Sequence, residues 1–344
     1  MATNLTPSLV LIFLFSVTFL ACNETSIQTE KKSAKAGITI GGALRVPISD
    51  IPNSLAQTNF NTLNATAIGI HLHEGLVRLD PKTSKPIPAL AESWSIEKNG
   101  GAYIFNLRKG ARFHQSSFFD GKSREITVKD VAYSFNELAH TSSAELFAAT
   151  LANKVVGAEA FRNGEAESFG GVQVIDDYTI KIELQKPDAS FLLRLAQPAF
   201  GVGPMNFKQG ENGLYLGAGP FAFTSAKNDI TLTKNPDYFL EDEFGNQYPY
   251  LDTLIFTEVE STTDELEAFF NGNVDVISDL ELDPVRDILE QHVSGFSGKN
   301  PEYVMKRETD NASYETYTVY RSGITNLGTN FMGYRDFSRV QVEQ

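Results

Sequence analysis

The sequence predicts an α/β protein built from more than one lobe, and three observations carry that expectation. At 344 residues the chain exceeds what one hydrophobic core usually organises. Hydrophobic residues at 42 % and charged residues at 21 % are ordinary globular values, which exclude a disordered chain and a multi-spanning membrane protein. Period-two alternation and helical periodicity take turns along the chain, most clearly between residues 71 and 138.

Taken in order, the chain opens on an almost unbroken apolar run, residues 9–21. It is too short to cross a bilayer comfortably and has the length of the hydrophobic part of a signal peptide, so the chain is expected to be exported. The sole cysteine, Cys22, follows Phe19, Leu20 and Ala21 directly. That placement resembles a lipobox, and it predicts acylation of Cys22 and anchoring to a membrane by an N-terminal lipid. Residues 23–37 are polar, carry Lys31, Lys32 and Lys35, and read as a flexible tether from the lipid to the body.

Gly41, Gly42 and residues 43–48 make the first strand, and Asp50, Ile51, Pro52, Asn53, Ser54 and Leu55 the turn that leaves it. Residues 102–107 alternate as a half-buried strand, closed by Arg108, Lys109 and Gly110. A helix follows: Thr127 stands at its N-cap, Asp130 completes a capping box, and Val131, Phe135 and Leu138 recur at helical spacing. Residues 139–171 read as surface loops around a short helix. The stretch VQVIDDYTIKIEL then predicts a hairpin turning at Asp176 and Asp177. Lys186, Pro187 and Asp188 stop its second strand, and a helix begins at Phe191.

Several function classes lose support on this walk. The net charge of -14 argues against nucleic acid, whose phosphates demand clustered Lys and Arg. No nucleophile elbow and no His-Glu-x-x-His zinc motif occurs, so no catalytic residues are assigned and the chain is not expected to be an enzyme. The run of Gly217, Ala218, Gly219, Pro220 and Phe221 is no phosphate loop, because Pro220 removes a backbone donor and no Lys-Ser/Thr follows. Asp264, Glu265, Glu267, Asp275, Asp279, Glu281 and Asp283 read as a solvated acidic face. His71, His73 and Glu74 raise a metal site, but a site needs three or four convergent ligands, and ordinary packing is the stronger expectation.

The words EGLVRLD, LAESW, FNLRKGARFH and VKDVAYSF, in this order, resemble the extracytoplasmic solute-binding proteins of family 5. VIDDYTIKIEL, KPDASFL, and GAGPF with Ala218 where the family has Thr, extend the likeness, which runs from about Gly41 to about Val276. The resemblance implies a periplasmic-binding-protein-like bilobed fold of type II, cluster C. It implies a receptor that captures oligopeptides or dipeptides, or in some members nickel complexes, haem or sugars, without a cofactor, and delivers them to the permease of an ABC transporter. The expected place is the periplasmic space or cell surface.

On that likeness, residues 38–58 and 172–276 form lobe I, residues 59–171 a small extra lobe in which Trp94 is a packing anchor, and residues 277–344 the remainder of lobe I. FMGYRDFSRVQVEQ resembles the segment just before the family's second large lobe, which is expected to be missing or incomplete here. Such a chain would have one jaw of a clamshell and an exposed sheet edge. The resemblance also places the backbone of the first loop beside the ligand, so Asp50, Pro52, Asn53, Ser54 and Leu55 are the candidate peptide contacts. A surface lipoprotein with a structural or partner-binding role and no transport activity is the alternative.

Overall fold

A computed structural model describes residues 31–343, except 61, 82, 168, 227–228, 282–285, 287–289, 310–314 and 329–334. Cys22 and the apolar run before it lie outside the described residues. Three sheets of three or four strands, each backed by its own apolar cluster, make up the body.

The first sheet runs in the order Phe221–Ala226, Asp229–Lys234, Thr253–Glu258, Ala43–Ile48. Its first three strands are antiparallel, and Ala43–Ile48 lies parallel to Thr253–Glu258, with Ala43 opposite Thr253 and Ile48 opposite Glu258. Alternate residues Leu44, Ile230, Leu232, Leu254 and Phe256 are buried on one face, as a sheet covered on one side requires. The helix Leu63–Leu72 covers that face with Ile68 and Leu72, after the Thr62 hydroxyl caps it by accepting from the Ala65 amide at 3.1 Å.

The second sheet runs Ala91–Glu97, Ala102–Leu107, Thr179–Glu183, Val172–Val174, antiparallel throughout. Phe105, Ile180 and Ile182 share one core with Val131, Phe135 and Leu138 of the helix Val128–Thr141. The capping box forms: the Thr127 amide donates to Asp130 Oδ2 at 3.0 Å. Trp94 sits half-buried against this cluster, 6.4 Å from the Phe105 ring.

One boundary differs from expectation. The hairpin of residues 172–183 pairs with Ala102–Leu107, Ile180 opposite Phe105, and so belongs with the second sheet rather than with residues 43–48. The reason is continuity of the apolar face: Ile180 and Ile182 extend the surface begun by Tyr103 and Phe105. The helix Phe191–Leu195 packs into the same cluster, and the chain next joins the first sheet at Phe221.

The third sheet, Val276–Leu280, Glu315–Arg321, Tyr303–Thr309, packs under the helix Thr262–Phe270 through Phe269, Ile277 and Val319. It abuts the outer edge of Ala43–Ile48. The Arg45 amide donates to Asp275 Oδ2 at 2.8 Å, and the Asp275 amide donates to the Arg45 carbonyl at 2.9 Å. That edge is therefore partly closed. Asp275 also departs from the expected solvated acidic face: it is buried, and Arg321 Nε stands 3.5 Å from its carboxylate. Glu265 departs likewise, pushed up to about 7 by burial and by the neighbouring Asp279 charge.

Candidate ligand-binding loop and cleft

The strand Ala43–Ile48 delivers the chain to a loop fastened at both ends. On the upstream side Asn64 Nδ2 donates to Asp50 Oδ1 at 2.8 Å, to the Asp50 carbonyl at 3.0 Å and to Ser49 Oγ at 3.1 Å. On the downstream side His73 Nε2 donates to the Leu55 carbonyl at 3.0 Å, and the Ser54 hydroxyl accepts from the Ala56 amide at 3.2 Å. Between these anchors the backbone of Ile51, Pro52 and Asn53 makes no hydrogen bond with the described residues.

The five expected contact residues thus divide. Pro52 and Asn53 belong to the open part of the loop, and Asp50, Ser54 and Leu55 to its fastenings. The Leu55 side chain is core, at 2 % exposure, and its carbonyl accepts from His73.

His73 also lines a small cleft of about 70 Å³ that is partly open to solvent. Ile70, Glu74, Arg78, Gln197 and Asp336 contribute to its lining. Under it runs a buried polar network. Arg78 Nη1 donates to Tyr238 Oη at 2.8 Å, Tyr238 Oη donates to Glu74 Oε2 at 2.5 Å, and Arg78 Nη2 pairs with Asp336. Burial lifts the Glu74 carboxyl above the usual carboxylate range. At Asp336 burial works in the same direction, but the Arg78 guanidinium outweighs it and holds the carboxyl at about 2.

The histidines and Glu74 that spacing brought together do not converge on one point. His71 is buried among Phe221, Phe256 and Phe337, stacked on the last at 5.1 Å. His73 reaches the Leu55 carbonyl and Glu74 reaches Tyr238. Each has a separate protein environment, and among the described residues no group of three His, Cys, Asp or Glu is placed to hold a metal. Sequence reasoning missed Arg78, Tyr238 and Asp336. The i, i+4 spacing of Glu74 and Arg78 was a local signal; Tyr238 and Asp336, 160 and 258 positions from Arg78, offered none.

Residues 85–324 match the profile of the bacterial extracellular solute-binding proteins, family 5 (middle), and the chain belongs to that family, whose members are binding proteins and not enzymes. Heme-binding protein A of Haemophilus influenzae is 26 % identical over 323 residues, 87 % of this chain and 54 % of that protein. The dipeptide-binding protein of Escherichia coli is 29 % identical over 203 residues, 56 % of this chain and 36 % of that protein.

Among solved structures, the periplasmic binding protein DppA from Helicobacter pylori in complex with the peptide STSA superposes with a TM-score of 0.64 at 22 % identity, covering 79 % of this chain and 51 % of that one. The murein tripeptide binding protein MppA of Escherichia coli also gives 0.64, at 21 % identity, over 78 % of this chain and 50 % of that one. These likenesses show the α/β fold of the family's periplasmic binding proteins. The chain spans about half the length, or less, of the relatives it matches.

Proposed function

We propose that this chain is the extracytoplasmic substrate-binding component of an ABC importer and that it binds short peptides noncovalently along Ile51, Pro52 and Asn53. The observation that carries the reading is the fastened loop with its unpaired middle. An extended peptide pairs through its own backbone with such a segment, so affinity tolerates varied side chains. Membership of the solute-binding family supports binding as the activity. The proposed importer role extends to membrane attachment: acylated Cys22 would hold the protein beside its permease, with residues 23–37 as the tether.

The test is thermal stability with and without a pool of di-, tri- and tetrapeptides. Because a ligand that binds only the native state stabilises it by about 2.7 kcal/mol at a hundred times its Kd, binding raises Tm by several degrees. No shift at millimolar peptide would overturn the reading. A haem-binding reading is favoured by the 87 % span of the Haemophilus relative. Against it, His71, His73 and His114 are all buried, and the last two are bonded to backbone carbonyls. Haem titration followed at the Soret band separates the two readings. For the anchor, Cys22→Ala is expected to abolish incorporation of labelled palmitate in growing cells.

A further inference from the structure

We propose that His73 is the positioning residue of the candidate ligand loop, acting through its Nε2–H on the Leu55 carbonyl; the inference rests on the reading of residues 51–53 as the ligand contact. The geometry is built around that one bond. Leu55 O can only accept, so the proton is on Nε2, and the 3.0 Å separation is an ordinary hydrogen bond.

The ring has no freedom to turn away. A Cβ on Gly201 would stand 2.5 Å from His73 Cβ, and one on Gly217 would stand 3.0 Å from Nδ1, so bare glycine backbone closes on the imidazole from both segments. Phe60 meets the ring edge-on at 5.7 Å. The residue is 4 % exposed although it lines the cleft. A small hydrophobe would fill such a space at lower desolvation cost; the imidazole supplies a donor at a fixed height above its own Cα.

Packing of the Leu55 side chain in the core also holds the downstream end, but among the described residues this bond is the one that fixes the Leu55 carbonyl. The Ser54 hydroxyl and the Ala56 amide bond only to each other, within the same turn. His73 reaches in from the end of the helix Leu63–Leu72, 18 positions away, and ties the loop to the element that also carries Asn64, its upstream fastening. One helix therefore holds both ends: Asn64 at its start and His73 as its C-cap. The span between them, residues 51–53, is thereby tied to that helix at both ends. A peptide that pairs with it meets backbone whose ordering cost has already been met in folding, the condition under which a backbone-reading site binds tightly.

The test uses three substitutions in the full chain. Glutamine carries its amide nitrogen at the reach of imidazole Nε2, asparagine only at the reach of Nδ1, and phenylalanine keeps the ring without a donor. Hydrogen exchange is followed by mass spectrometry in segment 49–60, with segment 91–107 of the second sheet as internal reference, and affinity is measured with trialanine. His73→Asn and His73→Phe are expected to speed exchange in 49–60 about tenfold with no change in 91–107, and to weaken trialanine about tenfold; His73→Gln is expected to restore both. Equal acceleration in both segments, or failure of Gln to do better than Asn, would show a packing role only and overturn the proposal. If the unsubstituted protein does not bind trialanine, the peptide reading loses its support, while the exchange comparison still decides whether His73 holds the loop.

Discussion

Three buried histidines set the acid limit of this protein. His71, His73 and His114 each lie at about 4, against 6.5 in water, and in each case burial is the main cause. The folded chain keeps them neutral while the unfolded chain protonates them below 6.5. Their contribution is therefore fully present above that pH and is lost progressively as the pH falls from about 6.5 to about 4. Urea unfolding at pH 7.5, 5.5 and 4.5 is expected to show a fall on the order of 1–3 kcal/mol per histidine over that range. His71→Leu should remove one share of the fall, because that ring lies among aromatic side chains rather than in a side-chain hydrogen bond. An unchanged acid slope in His71→Leu would refute the assignment. Arg78 is the opposite case, a buried charge that cannot shed its proton. Arg78→Met strands the Asp336 carboxylate, and a loss of about 3–5 kcal/mol is expected in the same measurement, with Asp336→Asn costing less.

At the scale of elements, the junction between the second and first sheets depends on glycine for a reason of contact. A Cβ on Gly219 would lie 2.4 Å from the His71 carbonyl oxygen and 2.6 Å from the Leu72 carbonyl carbon, backbone atoms at the end of a packed helix that have no room to yield. Gly219→Ala is expected to lower stability by about 2–4 kcal/mol. Gly170→Ala, where nothing stands within 4 Å, should be nearly neutral. Comparable Tm values for the two would dismiss the close-approach argument.

This junction also marks where sequence stops informing. The stretch GAGPF was legible as something other than a phosphate cradle, since Pro220 and the missing Lys-Ser/Thr forbid one. The partner that requires Gly219 stands far back in the chain, beyond local pattern. In the same way, alternation showed that residues 172–183 form two strands, but not which sheet receives them. The capping box at Thr127 and Asp130 was fully legible because both partners are within one turn. At the candidate site the turn after the first strand was readable from its residues, and its place beside a ligand only from the family resemblance. Its two fastenings, Asn64 and His73, were not, because a side chain reaching a distant carbonyl leaves no periodicity.

Across the whole molecule, the first and third sheets meet at one strand. Ala43–Ile48 pairs with Thr253–Glu258 on one side, exchanges two hydrogen bonds with Asp275 on the other, and then becomes the loop. Asp275 is thus the point at which the third sheet gains its hold on the site-bearing strand. Its carboxyl is raised by burial, against the Arg45 amide and the charges of Arg45 and Arg321. Asp275→Ala removes the acceptor for the Arg45 amide and leaves the Arg321 guanidinium without that carboxylate, a loss of about 2–3 kcal/mol. Phe105→Ala opens a cavity in the second cluster at a cost of about 3–5 kcal/mol and touches neither neighbour of the strand. If the clusters open as separate units, Asp275→Ala will speed hydrogen exchange in Val276–Leu280, Glu315–Arg321 and the loop while sparing Ala102–Leu107. Phe105→Ala will then do the reverse, although it costs more. Acceleration spread evenly over the chain by both substitutions would mean that one cooperative transition governs all three sheets, and that the loop owes its order to the entire body and not to the strand that delivers it.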